Sequence, residues 1–207
     1  MTADTSHDPK EVWKALLEGN ARFAAGKPQR PNQDIERRQA LTHGQSPRVC
    51  VFTCGDSRVP AEILFDQGLG DIFVVRTAGE VVDSGVMGSL EFAVLGLGVD
   101  VLVVLGHENC GAVGAARSVL DGAEVPTGHQ RTLVEQITPS ILESRSFGGD
   151  DSADYERHHA AAVVNKIMQI SPAIKNAVDN GEVALVAARY RLSDGAVETV
   201  KTIGIDE

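Results

Sequence analysis

Apolar positions along the chain fall into two periods that alternate. Val12, Trp13, Leu16, Leu17, Phe23 and Ala24 recur at helical spacing, and Asp8-Pro9-Lys10-Glu11 before them reads as an N-cap, a first-turn proline and a first-turn acid. The spacing predicts a helix from about 10 to 25, ended by Gly26 and Pro28, whose stripe needs a surface on this domain or on a partner subunit. Residues 27 to 47 turn polar and hold three prolines, so a connector with one short helix is expected, its Glu36-Arg37-Arg38 cluster solvated or in an intersubunit ion pair.

Strands are expected at 49–53, a buried β-branched run, at 71–76, and at 100–105, which is continuous and apolar as a parallel strand covered on both faces is. Between them stand a helix opened by Pro60 and carrying Ala61, Ile63, Leu64 and Phe65, and a second one N-capped by Ser84 and closed by Gly98. Helices are then expected from Gly111 to Leu120, near 130–144 within a poorly patterned stretch, from 153 to 170, and from Ser171-Pro172 to Asn180-Gly181. Residues 183–192 and 197–203 flank Ser193-Asp194-Gly195-Ala196, a hairpin signal. The pattern predicts an α/β fold with right-handed crossovers: a mainly parallel central sheet flanked by helices, an antiparallel C-terminal strand and an N-terminal helical arm. At 207 residues a single domain is expected over 1–207, with 1–47 as arm and connector.

Composition narrows the function. With 19 basic and 29 acidic residues the net charge is −10, which opposes binding to phosphate backbones, so nucleic acid is not expected as a partner. The first ten residues lack an apolar core and no run approaches the roughly 18 residues of a membrane span, so no membrane partner is expected. Three cysteines without a leader point to a reducing, cytoplasmic location where thiols are free as ligands.

The chemistry gathers at the ends of two strands. Cys54-Gly-Asp56-Ser-Arg58 follows the first, and Gly106-His107-Glu-Asn-Cys110-Gly111 follows the third. If those strands are neighbours, Cys54, His107 and Cys110 converge where open parallel sheets collect ligands. Two thiolates and an imidazole suit Zn²⁺, and three protein ligands leave the open position that a catalytic zinc needs. Asp56, two residues past Cys54, projects to the same side in extended geometry, and Arg58 holds it bidentately and keeps it ionised. Asp56 is alternatively able to swing onto the metal as a fourth ligand, an arrangement that switches the site off. Mid-strand Cys50 reads as core, His158 and His159 as surface or interface residues with proton relay as the alternative, Gly68, Gly70 and Gly79 as turn residues, and His7 and His43 carry no signal.

Cys54-Gly-Asp56-Ser-Arg58-Val with Gly106-His107-x-x-Cys110-Gly111 resembles the β-class carbonic anhydrases, most strongly over residues 48 to 115. The resemblance implies adjacent first and third strands, zinc on Cys54, His107 and Cys110, Asp56 and Arg58 as a catalytic dyad, and reversible hydration of carbon dioxide to bicarbonate by zinc-bound hydroxide. It implies homodimers or homotetramers with N-terminal helices embracing the partner. It also implies a narrow apolar pocket at the subunit interface, for which Val59, Gln67, Phe73, Val81, Gly111 and Tyr190 are candidates. Arg76-Thr77-Ala78-Gly79 and Ala112 depart from the family pattern. Two other functions fit the same residues: hydrolysis of a related heterocumulene such as carbon disulfide or carbonyl sulfide, and a non-catalytic zinc- or bicarbonate-sensing module.

Overall fold

The computed structural model describes residues 8–205; His7 lies outside them. Eight α-helices and five strands are described: α1 (Pro9–Ala24), α2 (Ile35–Ala40), β1 (Val49–Cys54), α3 (Ala61–Leu64), β2 (Ile72–Thr77), α4 (Ser84–Glu91), β3 (Val101–His107), α5 (Gly111–Leu120), α6 (Gln130–Ser146), α7 (Ser152–Ile170), α8 (Pro172–Asp179), β4 (Ala184–Tyr190) and β5 (Val197–Ile203). The strands form one sheet in the order β2-β1-β3-β4-β5, parallel except for the last pair. This is the predicted α/β class, with first and third strands adjacent.

Strand alternation divides the core. Cys50, Phe52, Leu102, Val104, Leu185 and Ala187 face α4, α7 and α8. Val49, Val51, Val101, Val103, Leu105 and Val186 face α1 and α3. A third cluster, with Val113, Ile137 and Ile141 from α5 and α6, encloses Cys54 and Cys110. Cys50 is fully buried in the first cluster, as its mid-strand place predicts, and burial pushes its thiol up to about 12.

Helix α1 lies on its own sheet, which settles where its apolar stripe goes. Trp13 packs edge-on to Phe65 with centroids 6.1 Å apart and donates from Nε1 to Thr199 Oγ1 at 3.2 Å. Buried Asn20 donates to the carbonyls of Leu64 and Gly195 and accepts from Val197 N–H, joining α1 to α3 and to the hairpin. The approach is so close that a Cβ at Gly19 would stand 2.0 Å from the Phe65 carbonyl oxygen. Arg37 is held within the chain, 3.1 Å from Asp71.

Two predicted helix starts are corrected. Asp83, not Ser84, caps α4, because Asp83 has extended backbone and its Oδ1 accepts from Val86 N–H at 2.8 Å while Ser84 is already helical. Pro60 stands outside α3 with extended dihedrals, and the helix is a single turn. After α4 the chain widens into a π-helical turn, Phe92–Gly96. Among the described residues no helix is long and apolar enough to cross a membrane.

Candidate metal centre

The sheet order makes the site. From β1 the chain crosses to β2 on one side, and β3 joins β1 on the other, so the winding reverses between β1 and β3. Such a reversal opens a crevice beyond the carboxyl ends of the two strands. Cys54 ends β1, His107 ends β3, and Cys110 is the residue before α5, so all three side chains meet there. Their sulfur and ring-nitrogen atoms all lie within 4.8 Å of one another, and all three residues are buried.

His107 is poised by its neighbour. Nδ1 is 2.9 Å from the Glu108 carbonyl, which only accepts, so the ring proton sits on Nδ1 and the Nε2 lone pair faces the cysteines. Nε2 is buried and has no hydrogen-bond partner among the described residues. A buried ring nitrogen without a partner is costly, whereas a metal ion satisfies it, and a backbone acceptor on the other nitrogen is the usual support of a metal-bound histidine.

The cysteines divide their labour. A hydrogen bond from Cys110 draws the Cys54 thiol down to about 4 against the opposing effect of burial, and the Gly79 N–H, 3.3 Å from Sγ, adds to it. Cys110 moves upward, because its proton is shared with Cys54 and because it is buried. A bound metal cation favours the thiolate form of both sulfurs. The donor set, the orphaned nitrogen and the low Cys54 thiol fit a thiolate-binding metal.

Asp56 stands beside this cluster, Oδ2 3.9 Å from His107 Nε2. Arg58 grips it with Nε on Oδ1 at 2.9 Å and Nη2 on Oδ2 at 2.7 Å, while its own N–H adds a third bond at 2.8 Å. Those bonds from Arg58 hold the carboxyl well below the usual carboxylate range. Arg58 Nη2 also reaches the carbonyl of Asn109, a left-handed residue at φ 55°, tying the β1 loop to the β3 loop.

Of the pocket candidates, Gly111 opens α5 directly after Cys110. Val81 packs with Cys54 and Cys110 and lines a cavity of about 460 Å³ with Gln136, Ser140, His159 and Lys166. Tyr190 pairs with His107 across the β3–β4 ladder, though its ring and Val59 pack in the α1 cluster. Phe73 packs at a tilt against Phe92 and pairs with Cys50, four residues before Cys54. Gln67 bonds to the Phe65 carbonyl and lines a groove with Val12, Asn32 and Asp71, so within one chain neither Phe73 nor Gln67 reaches the ligand set.

Three contributors escaped the sequence. Arg76 reaches from β2 to the carbonyls of Cys54 and Asp56, at 2.9 and 2.5 Å, and fixes the loop that carries both; its signal was a lone charge ending an otherwise apolar strand. Gly79 is the turn residue that the sequence suggested, but its N–H contact with Cys54 joins two segments and leaves no mark in their spacing. His159, expected at a surface or interface, is instead 4% exposed inside the chain, with Nε2 2.8 Å from Gly79 O and Nδ1 2.8 Å from Ser140 Oγ. The spacing of Ala160, Val163, Val164 and Ile167 put position 159 on the buried stripe of α7, and that was its signal.

A profile of the family described as carbonic anhydrase matches residues 49–197. A carbonic anhydrase of Mycolicibacterium smegmatis is 52% identical over 95% of this chain and 96% of its own. Among solved structures, a Coccomyxa β-carbonic anhydrase in complex with acetazolamide has a TM-score of 0.71 at 24% identity, covering 98% of this chain and 89% of that one. A tetrameric β-carbonic anhydrase of Sordaria macrospora has a TM-score of 0.70 at 21% identity, over 91% of this chain and 96% of that one. Those two likenesses concern the fold. The chain belongs to the carbonic anhydrase family, β class.

Proposed function

We propose that this family member catalyses the reversible hydration of carbon dioxide to bicarbonate and a proton, as a zinc-dependent carbonate dehydratase. The observation that carries the reading is the orphaned Nε2 of His107, aimed at two cysteine sulfurs beside an ionised Asp56. Cys54, His107 and Cys110 would hold the metal, and the chemistry it supplies when bound is Lewis-acid acidification of water toward neutral pH.

The chain's own residues supply the rest. Asp56, ionised by Arg58, accepts a hydrogen bond from the attacking water and so fixes which lone pair faces the carbon. Arg76 holds the Cys54 and Asp56 carbonyls, which keeps ligand and dyad in register. The apolar packing of Val81, Val113 and Ile137 around the sulfurs keeps bulk water away from a substrate that has no charge to hold. The alternative placement of Asp56 as a fourth ligand requires it to leave Arg58, so the bidentate pair favours the open state.

Self-association as a dimer or tetramer belongs to the same reading. The Sordaria relative is tetrameric, and the β2 edge of this sheet is flanked by exposed Ile63, Leu69, Phe92 and Leu95. A second subunit at that edge is the route by which Phe73 and Gln67 would meet a pocket.

Mass spectrometry of ¹⁸O exchange between carbon dioxide and water tests the activity, run with carbonyl sulfide as a second substrate. The reading expects exchange that depends on zinc. Hydrolysis of carbonyl sulfide without exchange would move the assignment to a heterocumulene hydrolase, and zinc binding with neither activity would leave a sensing module.

A further inference from the structure

The segment behind Cys54 is unusual backbone. Gly79 (φ 64°) and Glu80 (φ 49°) are both left-handed, and Glu80 pays for it sterically, since it carries a side chain. A Cβ at Gly79 would lie 2.7 Å from Ala112 Cβ and 2.8 Å from Ile137 Cδ1, so this position admits no side chain. The turn serves one contact with the ligand set: the Gly79 N–H points at Cys54 Sγ, 3.3 Å away.

A glycine does not hold such a turn unaided, because it populates many conformations. Two bonds restrain it. Thr77 Oγ1 donates to the Val81 carbonyl at 2.9 Å and closes the turn from outside. From α7, His159 Nε2 donates to the Gly79 carbonyl at 2.8 Å. A carbonyl only accepts, so the proton is on Nε2; Nδ1 is then the acceptor, and Ser140 Oγ at 2.8 Å is placed to donate to it. The Ile137 carbonyl, 2.7 Å from the same hydroxyl, competes for that proton. The carbonyl and the N–H of Gly79 belong to two peptide planes joined at one α-carbon, so holding the first narrows, through φ and ψ, the directions open to the second.

We propose that His159 is a positioning residue for the metal centre: the relay Ser140–His159–Gly79 aims the Gly79 N–H at Cys54 Sγ and so sets the geometry and donor strength of that thiolate. The proposal rests on Cys54 being a metal ligand. It gives the buried imidazole a function that the dyad does not require, and it links α6 and α7 to the ligand set.

Two substitutions separate positioning from packing. In His159→Gln the amide nitrogen stands near the place of Nε2 and keeps a donor for Gly79. In His159→Asn the shorter side chain withdraws it. Zinc affinity is measured by chelator competition, and the cobalt-substituted proteins report the thiolate-to-metal charge-transfer band. The expected result is zinc binding about tenfold weaker in His159→Asn and within about twofold of wild type in His159→Gln, with the band altered only in the former.

Wild-type affinity and spectrum in His159→Asn, with only the thermal midpoint lowered, would make His159 a packing residue and overturn the proposal. Equal loss in both variants overturns it too. If His159→Asn does not fold, Ser140→Ala carries the test: weaker zinc binding is expected, and unchanged binding is contrary. A wild-type chain that takes up no zinc or cobalt fails at the earlier step, the identity of the ligands.

Discussion

Arg189 and His107 sit one register step apart on neighbouring strands, both buried in polar company, yet one network is closed and the other is open. Arg189 of β4 is 4% exposed and donates to Glu156 at 2.8 Å and to Glu198 at 3.2 Å. Glu198 is further bonded by Arg157 and Arg191, so the charges of this group answer one another. His107 of β3 is equally buried, but its Nε2 and the two sulfurs beside it hold lone pairs that nothing among the described residues fully satisfies. A closed network contributes to the fold. An open one is stabilised only by what binds it, and that difference marks the functional site without reference to any motif.

The comparison breaks first at Arg189. Arg189→Met leaves Glu156 buried and unpaired, so denaturant unfolding is expected to show a loss of about 3–5 kcal/mol, with zinc stoichiometry of the folded protein unchanged. Should zinc binding fall in step with stability, the two networks would be one.

A second effect is in pH. Burial, with Lys166 and His158 nearby, lowers His159 to about 4 against the bond to Gly79. The unfolded chain then binds a proton below about 6.5 that the folded chain refuses. Stability from this group is complete above that pH and is lost as pH falls toward 4, by up to about 3 kcal/mol. Urea midpoints at pH 7 and 4.5, compared between wild type and His159→Gln, check it: the variant should lose less.

At the open site the effects fall on rate instead. Asp56→Asn keeps the shape and removes the charge, and a loss of about 10²-fold in kcat is expected with little change in unfolding free energy. Arg58→Lys replaces a fork by a point charge, so about a tenfold loss is expected, with zinc retained. A fall in zinc affinity in either variant would mean that the dyad builds the site rather than acts in it.

How much of this the sequence carried depends on where the signal was local. The strands and the candidate ligands were legible because buried parallel strands are continuous apolar runs and because Cys54 and His107 are the last residues of theirs, whereas the adjacency of the first and third strands was implied only by the family resemblance. The cap of α4 was misplaced by one residue, since Asp83 and Ser84 are both capping types and only backbone geometry separates them. His159 was misread because a histidine pair on a helix looks solvent-facing until the stripe of α7 is counted. Arg76 and the Gly79 turn reach the site across strands, and contacts between segments leave no mark in spacing along one of them.

Stopped-flow carbon dioxide hydration on zinc-loaded protein between pH 6 and 9, beside the metal-stripped protein, tests most directly that the open network is a catalytic metal centre. The account predicts turnover that rises with pH and disappears with the metal. Stoichiometric zinc on the protein with no hydration at any pH would contradict it.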